Sequence, residues 1–120
     1  MKKSLASLAL MLLLSACVTD SNALKDYEKH LQWVHEADAV ADAQAALARG
    51  DFRLMMVPGR GQVIPGVEAS QRNSYSLKCG TRLLPGMSDA VRDEEHLRLL
   101  KKASEYGARY NQIIIEKCLP

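Results

Sequence analysis

The chain has 120 residues, a formal net charge of +2, and 48% hydrophobic but only 5% aromatic residues; this length suits one domain, near the small end of what a single core supports. The two surplus positive charges are those of Lys2 and Lys3, so that from residue 17 onward fourteen Lys and Arg face fourteen Asp and Glu. That balance leaves no overall positive field to argue for nucleic acid, and beyond Cys17 no stretch approaches the roughly 20 apolar residues needed to cross a bilayer.

Lys2 and Lys3 open the chain and residues 5–14 follow as an apolar run too short to span a membrane, which is the layout of a secretion leader. At its end, Leu14-Ser15-Ala16-Cys17 resembles the lipobox of bacterial lipoproteins, in which the thiol is acylated and the chain is cut just before it. The resemblance covers the leader alone. It implies a signal peptide over residues 1–16, a lipidated Cys17 as the new first residue, and a membrane anchor made of about three acyl chains, where two already hold firmly. An ordinary secreted protein cut after Ala16 would share the leader and leave Cys17 plain. In Gram-negative bacteria the family's sorting rule keeps chains with Asp after the lipidated cysteine in the inner membrane. Val18 in that place implies the outer membrane, with the domain facing the periplasm.

Residues 17–22 then read as a lipidated tether, and 23–120 as a single periplasmic domain. From 24 to 49 the chain is rich in Ala, Leu, Glu, Lys and Gln and lacks Pro and Gly, which predicts a helix capped by Ser21 or Asn22 and ended by Gly50. Its apolar face shifts partway along. Leu24, Tyr27, Leu31 and Val34 share one side, whereas Trp33, Ala37, Val40, Ala41, Leu47 and Ala48 share another, which implies a kink or two packing partners. Residues 51–57 alternate as a strand, Pro58-Gly59-Arg60-Gly61 forms a turn, and 62–64 returns to make a hairpin with Arg60 near its tip. Residues 68–74 are polar and read as loop.

The alternation of Tyr75, Leu77, Cys79, Thr81 and Leu83 against Ser76, Lys78, Gly80 and Arg82 predicts a strand over 75–84. Pro85-Gly86 ends it. Ser88 caps, and Asp89 opens, a long helix to about residue 117. On that helix His96, Leu99, Leu100, Ala103, Tyr106, Gly107, Tyr110, Ile113, Ile114 and Cys118 share one face, with Glu94, Arg98, Lys101, Lys102, Glu105 and Arg109 opposite. Glu94 with Arg98 and Glu105 with Arg109 have the spacing of helix ion pairs. Cys79 and Cys118, an even pair in an exported chain, predict a disulfide that staples helix to sheet. The expected fold is α+β: a small antiparallel sheet of two or three strands, with an N-terminal and a long C-terminal helix on one face.

Chemistry is sparse. His30, His35 and His96 are the only histidines; the first two point to different sides of a helix, and His35-Glu36 lacks the second histidine of a zinc-protease motif. No Gly-x-Ser-x-Gly elbow occurs, and the 58–61 turn lacks the Lys-Ser/Thr ending of a phosphate loop. The residues nominate no catalytic group, no metal ligands and no cofactor. The best candidate surface is the outer face of the sheet, where Arg53, Lys78 and Arg82 would converge beside Met55, with Arg60 at the hairpin tip, to receive carboxylates or phosphates of a cell-wall glycan, lipopolysaccharide or partner protein. A second is the exposed loop over 61–74. The expected function is that of a noncatalytic envelope lipoprotein binding a protein or polymer partner. The alternative is a periplasmic inhibitor or immunity-type protein that blocks an enzyme with the 58–61 turn.

Overall fold

The structure, a computed structural model, describes residues 31–59, 61–87, 91 and 93–119. The chain divides after His30, and every described residue belongs to the second unit, Leu31–Pro120. The leader, Cys17, the tether, residues 24–30 of the predicted first helix, Arg60, and the predicted cap at Ser88 and Asp89 lie outside the described residues.

A 3₁₀ turn, Gln32–His35, leads to helix α1, Ala39–Ala48. The break between them falls where the apolar face shifts in the sequence. Asp38 restarts the helix by accepting from the backbone N–H groups of Val40 (3.1 Å) and Ala41 (3.2 Å), two donors that the first turn leaves without partners. α1 buries Ala39, Ala43 and Ala46. Such small side chains let its axis come close to the long helix α3, Glu94–Cys118, against which it chiefly packs.

α3 begins at Glu94, with Asp93 accepting from the His96 N–H at 2.7 Å and Glu94 and Glu95 in the positive first turn. Its buried face carries His96, Leu99, Leu100, Ala103, Gly107, Tyr110 and Ile114, as the periodicity predicts, and also Asn111. The opposite charged residues are exposed. Arg98 pairs with Glu95 at 2.6 Å rather than with Glu94, because the i,i+3 partner lies equally close around the helix.

The main correction concerns the sheet. Strand β1, Leu54–Met56, and strand β2, Thr81–Leu83, pair in parallel, with Leu54 opposite Thr81, Met55 opposite Arg82 and Met56 opposite Leu83. The predicted hairpin shrinks to one antiparallel bridge, in which the Val57 N–H donates to the Val63 carbonyl at 2.7 Å. Of the predicted strand over 75–84 only Thr81–Leu83 is strand and the first half is helix: a 3₁₀ turn, Ala69–Gln71, runs into helix α2, Arg72–Cys79. Tyr75 and Cys79 share a side at period two and also at i,i+4, so both patterns accept them. Leu77 separates the two, since as a helix residue it falls off the inner face and is 88% exposed. Gly80, at φ 77°, then lets the helix stop and its carbonyl accept from the Leu54 N–H at 2.9 Å. Parallel strands need a crossover of a dozen or more residues, and the segment 57–80 containing α2 supplies it.

In β1 the Leu54 N–H and the Met56 carbonyl point toward β2, so the polar groups of Met55 face the other edge. There the side chain of Asn111 takes a neighbouring strand's place: Oδ1 accepts from the Met55 N–H at 2.7 Å and Nδ2 donates to the Met55 carbonyl at 3.0 Å. The same Nδ2 donates to the Pro65 carbonyl at 2.9 Å. Gly107, one turn before Asn111, makes room for this approach, since a Cβ there would lie 3.1 Å from Pro65 Cγ and 3.4 Å from Leu84 Cδ2.

The sulfurs of Cys79 and Cys118 are 2.08 Å apart and join the last residue of α2 to the last residue of α3. The staple therefore links helix to helix instead of helix to strand. Because it closes a 39-residue span, the loop-entropy account assigns it about 4 kcal/mol. Denaturant unfolding of the oxidised and reduced protein should differ by up to that amount, and coincident curves would contradict a structural role for the pair.

Candidate functional site

The residues expected to build an open cationic sheet face are distributed differently. Arg53, just ahead of β1, turns its Nε and Nη2 onto Asp51, donating to Oδ1 at 2.9 Å and Oδ2 at 3.1 Å, while its backbone N–H donates to Oδ1 at 3.2 Å. The side-chain bonds of Arg53 are the main reason that the Asp51 carboxyl is lowered from 3.8 to about 2, with the more distant Arg82 adding a smaller pull in the same direction. Arg53 is thus half exposed and already matched with a carboxylate.

Arg82 lies on β2 opposite Met55, and that face of the sheet meets α3. Its Nη2 donates to the Tyr110 hydroxyl at 3.0 Å, and its guanidinium carbon stands 5.3 Å from the centre of the Tyr110 ring. Met55 itself is 2% exposed and belongs to the core. Lys78 is exposed, but on α2 and not on a strand. Reading 75–84 as strand put Lys78 on the sheet and left the Met55 and Arg82 face open, whereas α3 covers it. Arg53 and Arg82 do share the field of Asp51. Met55 is corrected to a core residue, Lys78 to a helix position, and Arg60 lies outside the described residues.

A row of aromatic rings crosses α3 beside α1. Trp33 meets Tyr106 edge to face with centroids 5.1 Å apart, and Tyr106 lies 6.2 Å from Tyr110. The Tyr106 hydroxyl donates to Asp42 Oδ2 at 2.6 Å. Burial, followed by the neighbouring Asp42 carboxylate, pushes the Tyr106 phenol well above its ordinary value, which makes it a fixed donor that holds α1 to α3.

The more inviting feature lies largely within the second candidate segment, 61–74, as a hollow against helix α2 instead of an exposed loop. Between the segment 61–64 and α2 lies a hollow of about 190 Å³, floored by Met56 and Ile64 and walled by Gln62, Arg72, Asn73 and Ser76. Arg72 opens α2, and its Nη1 donates to the Gly61 carbonyl at 2.9 Å, which ties the helix start to the turn. The Nε of Arg72 is buried and has no hydrogen-bond partner among the described residues. The signal was present in the sequence: from 67 to 79 there is no Pro or Gly to interrupt a helix, yet the polar run 68–74 reads as loop by composition. Among the described residues, no group of three or more His, Cys, Asp and Glu is placed to hold a metal ion. None of the described helices is long and apolar enough to cross a membrane.

The lowered Asp51 carboxyl carries a pH signature. Since its folded value lies below its ordinary one, its contribution to stability is complete above about pH 4 and is lost as the pH falls toward 2. Asp51→Asn should therefore lower the denaturant midpoint at neutral pH and have a vanishing effect near pH 2, and a gap that stays constant with pH would contradict the pairing. Compared with protein-family models, curated proteins and solved structures, the chain matches none.

Proposed function

We propose that this chain is a lipid-anchored envelope protein, held at the periplasmic face of the outer membrane through Cys17, whose small domain binds a protein or polymer partner and catalyses no reaction. The observation that carries this reading is the paired Cys79 and Cys118 in a chain whose leader ends in Leu14-Ser15-Ala16-Cys17. Disulfides form and persist in oxidising, exported compartments, which is where a lipobox would deliver the domain. Val18 after the lipobox supports the outer membrane over the inner by the sorting rule of that family. The size of the hollow supports binding over catalysis. At about 190 Å³ it is smaller than the roughly 300 to 1,000 Å³ of sites that enclose a whole small substrate, and it suits one end group of a larger partner.

The anchor is tested by Cys17→Ser in cells. The variant should keep the thermal unfolding of the parent yet leave the membrane fraction, and the parent's mature amino terminus should carry acyl chains by mass spectrometry. Retention of the variant in the membrane, or an unmodified amino terminus on the parent, would overturn the anchored reading.

A further inference from the structure

From helix α2 and its single buried residue we infer a redox-operated lid: the Cys79–Cys118 bond latches α2 over the apolar floor of the hollow, and a protein dithiol of the disulfide-exchange class releases it. Its use as a control rests on the reading of the hollow as a binding site, whereas the lid itself requires neither partner nor anchor. Of the eight residues of α2 only Cys79 is buried. Leu77 is 88% exposed, Tyr75 and Ser76 are half-buried, and every other member of the core comes from outside α2. The helix is poorly equipped to stand alone. At eight residues it is shorter than the roughly 12 to 15 below which an isolated helix is marginal in water, Asn73, Ser74 and Ser76 favour the helix weakly, and Gln71 at its N-cap makes no side-chain bond to the first turn. Against α3 it packs far more lightly than α1 does. What holds it, besides the half-buried Tyr75 and the exposed bond from Arg72 to the Gly61 carbonyl, is the covalent link at its last residue.

The remainder of the domain does not need α2 to stay folded. α1 and α3 pack on each other, Asn111 holds β1, and Leu84 beside Gly107, with the bond from Arg82 to Tyr110, holds β2 against α3. Release of the latch is a thiol–disulfide exchange. One thiolate of the dithiol attacks the sulfur of Cys118, the more exposed partner; the Cys79 thiolate leaves and takes up a proton, and the second thiolate of the dithiol displaces Cys118 in turn. Two electrons pass to the pair, and the dithiol becomes a disulfide. α2 then lifts, taking Arg72, Asn73 and Ser76 from the wall of the hollow and uncovering Met56 and Ile64 on its floor. The hollow is thus complete in the oxidised chain alone.

The test is amide hydrogen exchange on the full chain in detergent micelles at neutral pH, before and after reduction with dithiothreitol. Reduction should speed exchange at Ser76, Leu77 and Lys78 by at least about a hundredfold, to near the rate of an open chain, whereas Ala103 and Gly107 in α3 and Met55 in β1 keep at least about a hundredfold protection. Brief trypsin treatment should cut after Lys78 at least about tenfold faster in the reduced chain. Cys118→Ser should show the reduced pattern with no reductant present. Unchanged exchange and cleavage in α2 after reduction would mean that the bond latches nothing. Equal loss of protection in α2 and α3, or a Cys118→Ser chain that does not fold, would mean that the bond serves the whole domain. Either result overturns the lid. Neither alters the mass of the amino terminus or the capture of a partner by the oxidised chain, so failure here is distinct from failure of the anchored binding reading.

Discussion

The fold depends on one buried amide. A two-stranded sheet is marginal by itself, and parallel pairing is somewhat weaker per residue than antiparallel, so β1 needs more than β2 to stay in place. Asn111 supplies it by satisfying the outward-facing N–H and carbonyl of Met55 and, through the second proton of Nδ2, the carbonyl of Pro65. Asn111 is 0% and Met55 2% exposed, and Pro65 is buried, so water offers these groups no alternative partner. One side chain of α3 thus fixes the strand that makes the sheet and the turn that follows it.

From that point the rest of the architecture is assembled by shorter-range devices. Gly107 admits Pro65 and Leu84 against α3, Gly80 turns α2 into β2, and the Cys79–Cys118 pair ties the ends of the two helices. Tyr106 and Asp42 hold α1 on the other flank of α3. With the segment 61–64 and α2 both located in this way, the gap between them persists as a hollow because Arg72 bridges it at one end by its bond to Gly61. The site is therefore a by-product of the crossover that a parallel sheet requires.

The sequence was most legible where one period ran longest. The 25 residues of α3 repeat an apolar stripe often enough that its buried face could be read directly, and the pairing of Cys79 with Cys118 followed from their being an even pair behind a secretion leader. Legibility failed over 75–84, where Tyr75 and Cys79 satisfy both the strand and the helix period and only Leu77 distinguishes them. That single ambiguity propagated: it made the sheet antiparallel, placed Lys78 on a strand, left the Met55 and Arg82 face uncovered, and hid Arg72 in a presumed loop. Asn111 was passed over because a polar residue between Tyr110 and Ile114 looks like an edge of the stripe. A side chain that bonds a strand edge across 56 positions of sequence leaves no local mark.

Hydrogen exchange at the Met55 amide measures the central constraint directly. In the parent this amide should exchange only through openings near the global unfolding free energy, because its partner is a buried side chain of the long helix α3. Asn111→Ala should lower global stability by about 3 kcal/mol or more, since it leaves several buried backbone groups unpaired, and should move Met55 exchange to a local opening while the interior of α3 stays protected. Met55 protection and denaturant midpoint both unchanged in that variant would contradict the account.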